Sequence, residues 1–221
     1  MFNPKICEKM GKISQGILGG FSGKVGNVIG ASWKGIHYIR IKPVTVANPR
    51  TEGQVNQRTK FSATLAFLQP SLAFVKVGYK FYASKRSAFN AAMSYVIQNA
   101  ITGSAPNFSV DPAAALMSRG KLTGASGTSA TFLDDELTVS WSNNSTEGNA
   151  RTDDKAMLLA YNPNKQESLI DLEAGTRATG TVVVEIPGTY SGDSLVVYLA
   201  FQAADGSMVS NSTYIGTVNI N

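Results

Sequence analysis

The chain has 221 residues, 43% of them apolar and only 16% charged, which is enough for a sizeable core but too few charges for an exposed helical protein. Its net charge of +5 hides an asymmetry: residues 1–105 hold 14 basic and 2 acidic side chains (+12), and residues 106–221 hold 6 basic and 13 acidic (−7). The single cysteine, Cys7, excludes an intrachain disulfide, and no stretch reaches the ~18 apolar residues that span a membrane. The N-terminus MFNPKICEKMGKIS lacks the apolar run of a secretory signal, so the expectation is synthesis in the cytoplasm, with incorporation into a particle as one destination.

Residues 11–35 contain eight glycines with apolar residues between them. Glycine this dense disfavours a helix, at about 1 kcal/mol per residue against alanine. Turns, short strands or an extended arm are expected instead. The stretch Trp33–Lys42, WKGIHYIRIK, alternates like a strand. Asn48-Pro49 marks a boundary, and Thr51 is placed to cap a helix whose apolar positions Val55, Phe61, Leu65 and Leu68 end at Pro70. Further helices are expected over Ser71–Ala83 and Ser87–Ala100.

After Pro106 the texture becomes that of strands and turns. Strands are predicted at Leu116–Leu122, Ala130–Trp141, Ala156–Asn162, Leu169–Leu172, Gly180–Ile186, Leu195–Gln202 and Met208–Ile220. Asp205-Gly206 between apolar runs is a hairpin signal. The class is α+β: a Gly-rich basic arm (1–45), a basic helical segment (46–105) and an acidic antiparallel β-sandwich of immunoglobulin or fibronectin III type (106–221), with Trp141 as a core plug.

The residues that could carry chemistry are sparse. His37 is the only histidine and has no Cys, Asp or Glu cluster around it, so a metal site or a Ser-His-Asp triad is not expected. The runs Asp134-Asp135-Glu136 and Asp153-Asp154 lack the alternating ligands of a calcium loop and read as solvated turns. Gly23-Lys24 is preceded five positions earlier by Leu18 and followed by Val25, so the phosphate-loop pattern fails. No cofactor is expected, and the chain does not read as an enzyme. A glycan-binding reading would have to use Trp141, Tyr161 and Tyr198, which core packing explains more simply.

The segments GKISQGILGGFSGKVGNVIGASWKG, NPRTEGQVNQRTKF, AFNAAMSYVIQNAITG and LMSRG together resemble an uncharacterised protein family of Bacteroidota, a domain of unknown function. The resemblance covers most of the chain from Met10 and implies no activity. The stretch from Asn48 to Phe61 is also similar to a segment of phage and prophage hypothetical proteins.

The expectation is therefore a non-enzymatic structural protein that assembles with itself or into a larger multi-protein particle through its basic N-terminal region. The alternative is a nucleic-acid-binding protein using the same half. Candidate contacts in either case are Lys12, Lys24, Trp33, Lys34, Arg40, Lys42, Arg50, Arg58 and Lys60.

Overall fold

A computed structural model of the chain describes residues 12–13, 20–33, 35–45 and 50–221. Cys7, Lys34 and the Asn48-Pro49 boundary lie outside them. The described residues form three α-helices and several small antiparallel sheets, an α+β fold. The chain divides into two compact units, Met1–Arg50 and Thr51–Asn221, where the sequence reading divides after 45 and 105.

The first unit is a four-stranded antiparallel meander of β1 (Lys12–Ile13), β2 (Phe21–Val25), β3 (Val28–Trp33) and β4 (Ile36–Ile41). The alternation expected from Trp33 to Lys42 is thus broken at its start. Trp33 ends β3, and Gly35, with φ of 84°, turns the chain into β4.

The second unit begins with α1 (Glu52–Leu68), α2 (Leu72–Gly78), a single 3-10 turn at Lys80–Tyr82, and α3 (Ala88–Asn99). Thr51 occupies the cap position of α1 with extended backbone, but its side chain makes no capping bond. Ser87 does cap α3, its Oγ accepting from the Asn90 amide at 3.1 Å. The buried face of α1 is Thr64, Phe67 and Leu68, so the expected face is partly wrong: Val55 and Phe61 are exposed. α1 and α2 meet at 94°, and no single helix among the described residues is long and apolar enough to cross a membrane.

The strands that follow are β5 (Ile101–Ser104), β6 (Asn107–Val110), β7 (Ser126–Leu133), β8 (Glu136–Ser142), β9 (Lys155–Asn162), β10 (Glu167–Thr176), β11 (Thr181–Glu185), β12 (Ser194–Gln202) and β13 (Thr213–Asn219). They make sheets ordered β10-β9-β12-β13, β11-β8-β7 and β5-β6. The sequence located β9, β11 and β12 to within a residue or two. It merged β7 with β8, because the turn between them is Asp134-Asp135 rather than Asn-Gly; both aspartates adopt positive φ (52° and 64°), as a tight hairpin requires. The reading of Asp134-Asp135-Glu136 as a solvated turn holds for the two aspartates, while Glu136, exposed as well, opens β8.

Leu116–Leu122 is not a strand. Its backbone is tied to scattered partners instead: the Arg119 amide donates to Gly78 O, the Met117 amide to Ser212 Oγ and the Leu122 amide to Val209 O. Gly120 suits this close crossing, since a Cβ there would sit 1.9 Å from Val209 O. The β5–β6 hairpin, where a helix stop was expected, is an addition the sequence did not suggest.

The core explains why β9 and β12 read as near-continuous apolar runs. Alternate residues of β9 serve two clusters. Met157, Leu159 and Tyr161, with Val196, Tyr198 and Ala200 of β12, pack with Phe67, Leu68, Phe74, Val75 and Met93 of the helices. Ala156, Leu158 and Ala160, with Leu195, Val197, Leu199 and Phe201, pack with Leu137, Val139 and Trp141 of β8. The helices and the β8 sheet thus cover opposite faces of the β9–β12 pair, and both faces must be apolar. Phe67 meets Tyr161 edge-on at 5.2 Å, and Trp141 meets Phe201 at 6.0 Å. Trp141 is the core plug the sequence predicts, at 5% exposure.

Candidate functional site

The N-terminal sheet holds most of the candidate contacts, and its register sorts them onto faces. Lys24 pairs with Ile29, which pairs with Arg40; Gly23 pairs with Gly30, which pairs with Ile39; Val25 pairs with Val28, which pairs with Ile41. Directly opposed residues share a face, and neighbours along a strand alternate. One face therefore carries Lys24, Ile29, Ala31, Trp33, Ile36, Tyr38 and Arg40, with Lys42 next in phase beyond β4. The other carries Phe21, Val25, Val28, Gly30, His37, Ile39 and Ile41. Gly30 lets the Phe21 backbone and ring pass close over this second face, because a Cβ there would fall 2.1 Å from Phe21 O and 2.8 Å from Phe21 Cδ2.

The sheet is covered at Gly30, which is buried beneath the Phe21 backbone, and is open along β4. Every residue of β4 is exposed, including Ile36 (66%), Ile39 (66%) and Ile41 (77%), and so is Trp33 (63%). Among the described residues β4 is also the last strand of its sheet, with no strand paired to one side of its backbone ladder. Between Glu8 and Glu52 the sequence has no carboxylate, so no acidic side chain of this unit's sheet offsets Lys24, Arg40 and Lys42.

Of the candidate contacts, the fold brings Lys24, Trp33 and Arg40 onto one face. Lys42 follows β4, its amide donating to Asn27 O at 2.7 Å. Lys12 lies on β1 opposite Ser22. Arg50 is exposed at the end of the unit, and Lys34 is outside the described residues. Arg58 and Lys60 belong to the second unit, on α1, where the Lys60 ammonium lies 4.9 Å from the Phe108 ring centre. His37 is exposed on the uncharged face.

The second unit holds a charged cluster that the sequence did not indicate. Arg177 is fully buried. Its Nε donates to Asp154 Oδ2 at 3.0 Å, Nη1 to Asn144 Oδ1 at 2.6 Å and to Gly124 O at 3.2 Å, and Nη2 to Thr123 O at 2.8 Å. The guanidinium carbon lies 3.8 Å from the Phe201 ring centre, and Trp141 Nε1 donates to Arg177 O at 2.9 Å. Burial pushes the arginine pKa down, and the hydrogen bond and charge of Asp154 oppose that shift. Asp154 is 1% exposed, so its reading as a solvated turn residue is corrected: the carboxylate turns inward to meet Arg177, 23 residues away. The cluster ties four separated segments to the core.

Two cavities adjoin this part of the fold. One of about 130 Å³ is lined by Asn149, Arg151, Asp153, Asp154 and Asp205 among others. Another of about 350 Å³ is lined by Phe81, Tyr82, Gly120, Lys121, Ser207, Met208 and Val209. Among the described residues no group of three or more His, Cys, Asp or Glu is placed to hold a metal ion. Trp141, Tyr161 and Tyr198 are all buried core residues, which leaves no ring among them for a sugar to stack on.

No curated protein matches the chain at a significant level. A model of a family of unknown function, DUF6266, matches residues 20–216, which takes in β2 to β4 of the open sheet and nearly all of the second unit, and the chain belongs to that family.

Proposed function

We propose that the chain is a non-enzymatic assembly protein whose N-terminal sheet joins a second copy through its uncharged face and the open edge of β4. The observation that carries this is β4, the last strand of its sheet among the described residues, with Ile39 and Ile41 exposed on one face together with Val25. Sheets are stable when a hydrophobic face is covered, and an open edge is a template for another strand. A second copy is the fitting occupant because this face carries no charge in conflict with itself, whereas the face with Lys24, Arg40 and Lys42 would repel its own image. The opposite net charges of residues 1–105 and 106–221 supply further attraction between copies.

In the same proposal the β7–β8–β11 and β10–β9–β12–β13 sheets form an immunoglobulin-like or fibronectin III-like sandwich, supported by the apolar cluster they share. Comparing strand order and sheet packing in an experimental structure with those folds tests it. The larger particle is phage-derived, a reading supported by the resemblance of Asn48 to Phe61; capsid, portal or tail genes beside this one would test it.

Size-exclusion chromatography with light scattering tests the assembly itself. The full chain is expected to run as an oligomer that Ile39→Ser/Ile41→Ser, or deletion of residues 1–45, reduces to a monomer. A monomer at high concentration and low salt, unchanged by that deletion, sinks the proposal.

A further inference from the structure

We infer that the opposite face of the same sheet binds single-stranded nucleic acid, and that it does so without competing with a second copy on the uncharged face. Sequence alone sets the two partners against each other, since both claim the basic N-terminal half. The register separates them. Lys24 and Arg40 flank Ile29 in one cross-strand row, with Lys42 two residues beyond Arg40. With strands ~4.8 Å apart, the Lys24 and Arg40 backbones stand about 10 Å from each other. Tyr38 lies on the same face two residues from Arg40, about 7 Å along the strand. Trp33, opposite Ile36, completes the face at the hairpin end. Tyr38 is 45% exposed and Trp33 63%.

Cations beside exposed aromatic rings on an open sheet are what an unpaired strand needs: phosphates meet the cations, and bases stack on the rings. A duplex keeps its base faces stacked inside and would leave both rings unused. An acidic protein surface would engage the cations and not the rings. Among the described residues the other face carries no Lys or Arg, so covering it leaves the row of Lys24 and Arg40 open.

Fluorescence anisotropy of labelled dT20, rU20 and a 20-base-pair duplex against the full chain tests this. Binding of the single strands is expected at 50 mM salt, weakening about twentyfold at 200 mM if three phosphates are contacted. Tyr38→Ala should weaken it about tenfold with the salt slope kept, and Arg40→Ala should flatten the slope. Ile39→Ser/Ile41→Ser should leave the salt slope per chain unchanged. Circular dichroism of each variant confirms that the fold survives, as expected for exposed positions.

Three results would overturn the inference. They are no binding of dT20 or rU20 at 50 mM salt, duplex binding as tight and indifferent to Tyr38→Ala, or equal binding of polyglutamate with the same indifference. Light scattering reads the assembly state separately, so a monomer that binds dT20 removes the assembly proposal and keeps this one.

Discussion

Strands β4 (IHYIRI) and β12 (SLVVYLAFQ) both belong to four-stranded antiparallel sheets, yet all six residues of β4 are exposed and seven of the nine in β12 are buried. The ladders are of the same kind, and the difference lies in what is laid over them. β12 has helices on one face and the β8 sheet on the other. β4 has no such layer within its own unit among the described residues. The N-terminal sheet displays isoleucine on both faces while carrying Lys24 and Arg40 on only one, the pattern on which the proposed assembly rests.

The comparison can be broken most severely at the buried cluster of the second unit. Arg177→Ala leaves Asp154 buried without its counter-charge, and urea unfolding should show a loss of about 3–5 kcal/mol. A loss below ~1 kcal/mol would mean that the cluster is not an anchor. Next comes a matched pair. Leu199→Ala on β12 should cost about 2–5 kcal/mol, while Ile39→Ala on β4 should stay within about 0.5 kcal/mol for the isolated chain. Equal costs would show that the β4 face is covered within the molecule.

Alkaline pH sharpens the same contrast. Burial, then the hydrogen bond from its hydroxyl to Glu167 Oε2, push the Tyr190 phenol from 10.0 up to about 12. The folded chain thus holds a proton that the unfolded chain has lost, and stability falls wherever that is so. The contribution is complete below pH 10 and disappears as pH rises from 10 to 12, about 2–3 kcal/mol in all. Burial raises Tyr79 and Tyr198 as well, in the direction that adds to the loss. Thermal melts followed at pH 9 to 12 should fall steeply, and Tyr190→Phe should shallow the slope. A flat profile would contradict it.

The smallest effect is expected at Glu136 and Glu185, directly opposed on β8 and β11. Glu185→Lys should raise stability by a fraction of 1 kcal/mol, read as a slightly higher urea midpoint.

How far the sequence could be read differs by region for physical reasons. β9 and β12 announced themselves because burial on both faces demands an unbroken apolar run. The β7–β8 turn was hidden because Asp134-Asp135 reaches positive φ without glycine. Leu116–Leu122 misled because its apolar residues are buried in an irregular crossing whose partners, Gly78, Val209 and Ser212, are distant in sequence. Asp154 misled for a similar reason. Two adjacent aspartates look like a solvated turn until Arg177 is placed beside them. On α1 the apolar periodicity included Phe61, whose ring the fold leaves half exposed.

By itself, the sequence determined the α+β class, the helical and strand segments with strong periodicity, and the separation of positive from negative charge. Those properties are local, because alternation, capping and composition act over a few residues. Only the tertiary structure decided which residues of the Gly-rich stretch share a face, that Lys24 and Arg40 stand in one row while Val25, Ile39 and Ile41 stand behind it, and that Arg177 and Asp154 meet in the core. Register and layering are long-range: a shift of one residue in β4 would exchange the two faces, and nothing in a single strand records which partner residue it meets.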